Sequence, residues 1–277
     1  MKRDLPKVEV GARPGVRSDI SLTALNRWSP DLRAEANDDA SISILDPIGA
    51  DIWGDGVTAK RIAGALRSIG DRPVTVNINS PGGDVFEGLA IYNLLREHSA
   101  EVTVKVLGLA ASAASVIAMA GDQVRIGRAA FLMIHNSWVL AMGDRNALRE
   151  VADWLEPFDT ALADVYHART GIDAAKLSTM MDQETWINGQ GAVDQGFADD
   201  LLAADQITVD GDAEAAKALR AEKQFDILAA RAGLPRSAAR DLLREVKGGM
   251  PGATPTHMPE AVDIVAEING LRASLKT

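Results

Sequence analysis

Four short stretches hold side chains whose types and spacing suit acyl-transfer chemistry. Gly108-Leu-Ala-Ala-Ser112 ends an apolar strand pattern and opens a helix at a serine flanked by small residues. Such a serine can be an ordinary helix N-cap. It also suits a nucleophile that must admit a peptide backbone, and the positive helix end favours anionic charge nearby. Ser115, one turn on, reads as an inward-packing serine. Phe131-Leu-Met-Ile-His135 places a histidine at the C-terminal end of a strand, where sites in α/β sheets collect. The chain has only four histidines. His98 and His167 fall on polar faces of predicted helices and His257 falls in a linker, so His135 is the candidate general base, with a structural histidine as the plain alternative. Asn79-Ser-Pro-Gly-Gly83-Asp84 follows another strand. Its paired glycines can be a tight turn, or can bring backbone N–H groups close to a developing oxyanion. Asp182-Gln-Glu184 supplies a carboxylate able to hold an imidazole in one tautomer, and these residues by themselves do not choose between Asp182 and Glu184.

What is missing narrows the chemistry further. The chain has 277 residues and no cysteine, which excludes disulfides, a thiol nucleophile and Cys-ligated zinc. No His-Glu-x-x-His, EF-hand, Walker or G-x-G-x-x-G motif occurs, so no metal and no cofactor are expected. Lys and Arg total 29 against 39 Asp and Glu, a net charge of −10. Without a basic stripe, direct nucleic-acid binding is not expected. The most apolar run, Leu107 to Gly121, is interrupted by Ser112 and Ser115 and falls short of the ~18 residues of a membrane span. The first residues lack the apolar stretch of a secretory signal. No membrane partner is expected, and the expected location is cytoplasmic.

The elements that must carry these residues follow from periodicity. Strands are predicted at 41–46, 74–79, 102–107, 123–126 and 131–134. Helices are predicted after the Thr58 N-cap, along Leu89-Ile91-Leu94-Leu95, and from about Ser112 to Ala120. Strand and helix alternate at a period of about 28 residues, which implies parallel strands joined by helical crossovers. Asp144 caps a long helix that Pro157 is expected to kink. Glu184–Ile187 reads as strand-like, and a short helix ends at Gly196. Residues 1–39 show little periodicity and are read as an arm or pro-segment, and residues 40–204 form the main domain. Residues 205–277 form a helical or partly disordered tail, with helices about Pro235, a linker at 248–256 and a last helix at 260–275.

Taken in order, these motifs resemble the Clp protease proteolytic subunit and, more closely, the ClpP-like prohead (head maturation) proteases of tailed phages. The family's turn is matched by Ile78-Asn-Ser-Pro-Gly-Gly83, its nucleophile motif by Gly108-Leu-Ala-Ala-Ser112 and its histidine motif by Met133-Ile-His135. His167-Ala-Arg-Thr-Gly171 and Gly196-Phe-Ala-Asp199 match two further segments. The family's acid lies fifteen residues before the last aspartate of that ending, which falls on Glu184. The resemblance covers about Ile42 to Leu202. It implies an α/β fold of the ClpP/crotonase type, a spiral of β-β-α units with a protruding handle helix through which subunits pair. It further implies Ser112 as nucleophile, His135 as base, Glu184 as acid and the amides of Gly83 and Ala113 as oxyanion hole, with Asp182 the alternative acid because the Clp subunit has Asp. A serine endopeptidase forming a homo-oligomer is the implied function, with capsid, scaffold or portal proteins as substrates. The 203–277 tail has no Clp counterpart and nothing resembles an unfoldase-docking loop, which counts against an ATPase partner. Two rivals share the fold expectation: a crotonase-type acyl-CoA hydratase or isomerase, which needs no Ser–His pair, and a non-catalytic capsid-assembly protein.

Overall fold

Runs of β-branched residues make the strands here, and amphipathic stripes make the helices between them. The structure is a computed structural model that describes residues 13, 16–34, 40–51, 56–203, 207–209 and 213–248. Residues 1–227 and 228–277 form two units. The first unit opens with β1 (Arg17–Ser18), α1 (Leu22–Arg27) and β2 (Leu32–Ala34). Next come β3 (Ser41–Ile44), β4 (Gly49–Ala50), β5 (Gly56–Val57), α2 (Ala59–Ile69), β6 (Val74–Ser80), α3 (Val85–Glu97), β7 (Val102–Ala111) and α4 (Ala113–Ala118). β8 (Gln123–Gly127), β9 (Phe131–Ile134), β10 (Val139–Leu140), α5 (Arg145–Thr170), α6 (Ala174–Asp182), β11 (Thr185–Asn188) and α7 (Gly189–Asp194) follow. The order ends with β12 (Asp200–Leu202), β13 (Ile207–Val209), α8 (Ala213–Arg231) and α9 (Arg236–Gly248).

One seven-stranded sheet runs β11-β9-β7-β6-β3, with β8 beside β7 and β12 beside β8. All its pairings are parallel except β11 against β9. Parallel neighbours require crossovers, and α2, α3 and α4 supply them, which is the mixed α/β arrangement expected. Val76, Ile78, Val104 and Val106 from adjacent strands are fully buried with Leu89 of α3 and Ile117 of α4. Phe86 of α3 packs on Trp154 and Phe158 of α5, each ring centroid 5.6 Å from its own, and those two rings lie 4.9 Å from each other. No helix among the described residues is long and apolar enough to cross a membrane.

Several elements differ from the expectation. β7 does not stop before Gly108 but continues to Ala111, because Ala110 and Ala111 still pair with Leu132 and Met133 of β9. α5 is the long helix expected, with Pro157 inside it. His98 is buried against the Arg72 carbonyl (2.8 Å) rather than lying on a polar face. The weakly periodic arm contains α1, capped by Ser21, whose Ala24, Leu25 and Trp28 join Ile20 over Leu109, Ala111 and Met133. Trp28 Nε1 donates to the Asn79 carbonyl (2.8 Å), and Asn79 Nδ2 donates to the Ser29 carbonyl (2.6 Å). Residues 249–277, with most of the expected linker and the last expected helix, lie outside the described residues.

A buried ion pair ties the end of α3 to the start of β8. Arg96 at the end of α3 donates to Asp122 (3.1 Å) and to the Ala120 carbonyl (3.0 Å), while Asp122 accepts the Val102 N–H (2.9 Å). The two side chains are 7% and 2% exposed. Asp122→Ala would leave the guanidinium charge buried without its counter-ion, so the expected loss of stability is about 3–5 kcal/mol. Urea unfolding of the variant measures it. A loss below about 1 kcal/mol would show that the pair behaves as a surface bridge.

Candidate active site

The strand-to-helix turn after β7 is held in an unusual backbone state. Ser112 has φ 54° and ψ −126°, where a residue with a Cβ is strained. Its N–H donates to the Met133 carbonyl (2.9 Å), which ties the turn to β9. Ser112 stands at the N-cap position of α4 but makes no side-chain cap bond. Its Oγ lies instead 2.6 Å from His135 Nε2. The small neighbours are needed because the surroundings leave no room. A Cβ on Gly82 would fall 2.7 Å from Ser112 Cβ, and one on Gly88 would fall 2.8 Å from Ala113 Cβ.

Ser115 supports the turn from beneath. Its Oγ donates to the Ser112 carbonyl (2.6 Å) and lies 2.7 Å from the Tyr166 hydroxyl. With its one proton committed to that carbonyl, Ser115 accepts and Tyr166 donates. Burial pushes the Tyr166 pKa up, so this chain of donors stays neutral.

The Ser80–Gly83 turn presents its backbone to the same place. Ile48 N–H donates to the Gly82 carbonyl (2.8 Å), and Asp84 N–H donates to the Ile48 carbonyl (2.9 Å). These bonds flank Gly83 and leave its own N–H directed away from Ile48. Among the described residues, neither the Gly83 nor the Ala113 N–H has a hydrogen-bond partner. Both residues line one cavity with Ser112 and His135. Ala113 is the first residue of α4, whose N–H has no partner within the helix. Gly83 has φ 146°, and a Cβ there would fall 2.1 Å from the Ile48 carbonyl oxygen. Gly83→Ala therefore has to move this backbone. If the amide stabilises an oxyanion, the variant should acylate about 10²–10³-fold more slowly, as measured with a chromogenic ester. A wild-type rate would remove Gly83 from the site.

His135 follows β9 directly. Burial lowers its pKa, and the Glu184 charge partly opposes that by raising it. The antiparallel register pairs Thr185 with Ile134, so one step further Glu184 comes alongside His135. Glu184 has φ 48° and accepts a hydrogen bond from Trp186 Nε1 at 3.3 Å. Arg27 of α1 stacks over the Trp186 ring, 4.1 Å from its centroid. Asp182 points elsewhere and accepts from Asn136 Nδ2 (2.7 Å). Asp159 of α5 accepts the Ser137 N–H (2.6 Å), and its pKa is raised by burial and by the Asp182 charge. The structure thus brings together Ser112, His135, Gly83, Ala113 and, through its charge, Glu184. Trp186, Asp159 and Tyr166 were not singled out from the sequence. Trp186 directly follows the Glu184-Thr185 pair and could have been weighed, whereas nothing local marks Asp159 or Tyr166.

A serine against an imidazole, beside two unpartnered amides, can form and stabilise a tetrahedral adduct on a carbonyl. Comparison with known proteins points the same way. Residues 31–205 match the family model described as Clp protease. The ATP-dependent Clp protease proteolytic subunit of Deinococcus radiodurans is 31% identical over 136 residues, covering 48% of this chain and 66% of that protein. The subunit of the same name from Bacteroides fragilis is 32% identical over 139 residues, covering 47% and 64%. That of Bacteroides thetaiotaomicron is 32% identical over 139 residues, covering 47% and 60%. The chain spans less than two thirds of the length of each of these relatives.

Proposed function

This chain belongs to the Clp protease family, and from that premise we propose that it is a serine endopeptidase acting through an acyl-enzyme on Ser112. The observation that carries the reading is the 2.6 Å contact between Ser112 Oγ and His135 Nε2 at a strained turn. His135 Nε2 takes the Ser112 proton as Oγ attacks the scissile carbonyl. The resulting oxyanion lies between the Gly83 and Ala113 N–H groups. His135 then returns the proton to the leaving amine, and the same base activates water to release the acyl group. Glu184 stabilises the imidazolium that forms in both steps.

The finer reading is head maturation: capsid, scaffold or portal proteins of a tailed phage as substrates, with the protease working as a homo-oligomer whose subunits pair through α5. The resemblance of the three site motifs to prohead proteases supports it, together with a C-terminal stretch that the Clp family match does not cover. The Ser112–His135 contact weighs against an acyl-CoA hydratase, which needs no such pair, and against a purely structural role.

Two measurements test these levels in turn. A fluorophosphonate probe should label the intact protein, and peptide mapping should place the adduct on Ser112. An adduct elsewhere, or none, overturns the enzyme reading. Co-expression with candidate capsid and scaffold proteins should yield cleaved products by mass spectrometry in the wild type only. Intact partners beside an active enzyme would leave the peptidase and remove the phage role.

A further inference from the structure

The groove in front of Ser112 is already filled by this chain. β1 pairs antiparallel with β10, Arg17 opposite Leu140 and Ser18 opposite Val139. The next residue continues the ladder, with Asp19 N–H donating to the Trp138 carbonyl (3.4 Å). On its other side the same segment meets the loop beyond Gly83, where Val85 N–H donates to Ser18 Oγ (3.1 Å). Residues 17–19 thus lie between β10 and the start of α3. Trp138, just before β10, lies three residues after His135, and Val85 comes directly after the Gly83-Asp84 pair. A peptide presented to Ser112 would need this same space.

The remaining room is small. Asp19 walls the cavity together with Gly83, Ser112, Ala113 and His135, and its volume is about 10 Å³. That holds roughly one water molecule and no acyl residue. The arm is anchored rather than loosely laid there, since Ile20, Leu25 and Trp28 are buried on Leu109, Ala111 and Met133 just beyond it.

We propose that residues Arg17–Asp19 are an autoinhibitory strap, a strand that occupies the substrate groove and must be withdrawn before a peptide can reach Ser112. The proposal rests on the serine endopeptidase reading for the chemistry it blocks. It makes the resting protein a latent enzyme, switched on by anything that competes for the β10 edge or pulls the arm away.

The absence of native cysteine allows a reversible test. Ser18 and Val139 face each other as a non-hydrogen-bonded pair, because the bonded pair is Asp19 with Trp138. Side chains approach most closely at such pairs, within disulfide range. In Ser18→Cys/Val139→Cys, intact mass follows the disulfide. The oxidised protein should react with a fluorophosphonate at least about tenfold more slowly than the same protein reduced. Asp19→Pro removes the N–H donated to Trp138 and the carboxylate that accepts the Ile20 N–H (2.7 Å), and lies outside α1, so it should label at least about two- to tenfold faster than wild type. A second readout needs no chemistry. On a Ser112→Ala background, a fluorescent heptapeptide with the sequence of residues 16–22 should bind the Asp19→Pro protein and be excluded from the disulfide-locked one. Equal peptide binding in both, or equal labelling of oxidised and reduced protein, overturns the strap. If no protein labels at all, the serine reading falls, and the peptide result still decides the strap.

Discussion

Ser112→Ala is expected to lower peptide turnover by about 10⁶-fold, to the level left by binding and the oxyanion amides alone. The reason is positional. Among the described residues Ser112 is the serine whose Oγ meets an imidazole, at 2.6 Å, in a turn that gives its side chain no capping work to do. Ser115 is the control. It is fully buried and its proton is committed to the Ser112 carbonyl. Ser115→Ala would leave the buried Tyr166 hydroxyl without its acceptor, costing about 1–3 kcal/mol of stability, while the nucleophile remains. Turnover should therefore fall modestly in Ser115→Ala and collapse in Ser112→Ala. Loss in the Ser115 variant alone would reassign the nucleophile. Backbone strain supplies an independent check. A residue with a Cβ in this region costs about 1–3 kcal/mol, so Ser112→Gly should be inactive yet melt at a higher temperature than wild type. An unchanged or lower melting temperature would show that the turn stores no strain.

The sequence made the sheet legible where burial and local preference agreed. Val74–Asn79 and Val102–Leu107 alternate cleanly, and the strands appear there. It misplaced the end of β7, because Gly108 looks like a stop when only local propensity is weighed. The pairing of Leu109, Ala110 and Ala111 with β9 carries the strand on to the nucleophile, and that pairing is a long-range fact. The arm was obscured for the same reason. α1 has only six residues, too short to hold by itself, and it exists because Leu25 and Trp28 bury themselves on Met133, more than a hundred residues away. The site divides along the same line. Ser112, His135 and Gly83 were each marked by a local feature, a glycine turn or a strand end, whereas Ala113 came only with the family resemblance. Asp159, Tyr166 and Trp186 become relevant only through tertiary contacts, and the choice between Asp182 and Glu184, open from those residues by themselves, leaned to Glu184 only through the spacing of the family it resembles.

That choice sets up the second large effect. Glu184→Gln should cut turnover by about 10⁴-fold, the loss typical when the acid of a serine–histidine system is neutralised, whereas Asp182→Asn should stay within a few-fold of wild type. Geometry separates the two carboxylates. Asp182 accepts from Asn136 and bears on Asp159, while Glu184 acts on His135 by its charge. The pH profile distinguishes a direct electrostatic role from a packing one. As a general base His135 must be neutral, so reactivity is full above its pKa and falls as the pH drops through it. Burial holds that pKa below the ordinary histidine value and the Glu184 charge pulls it part of the way back up. Removing the charge must therefore move the acid limb of the fluorophosphonate labelling profile to still lower pH. Asp182→Asn should leave the limb where it is. A limb that moves in Asp182→Asn and stays fixed in Glu184→Gln would transfer the role to Asp182. A limb that moves upward in Glu184→Gln would mean that the carboxylate does not act on the imidazole as an anion.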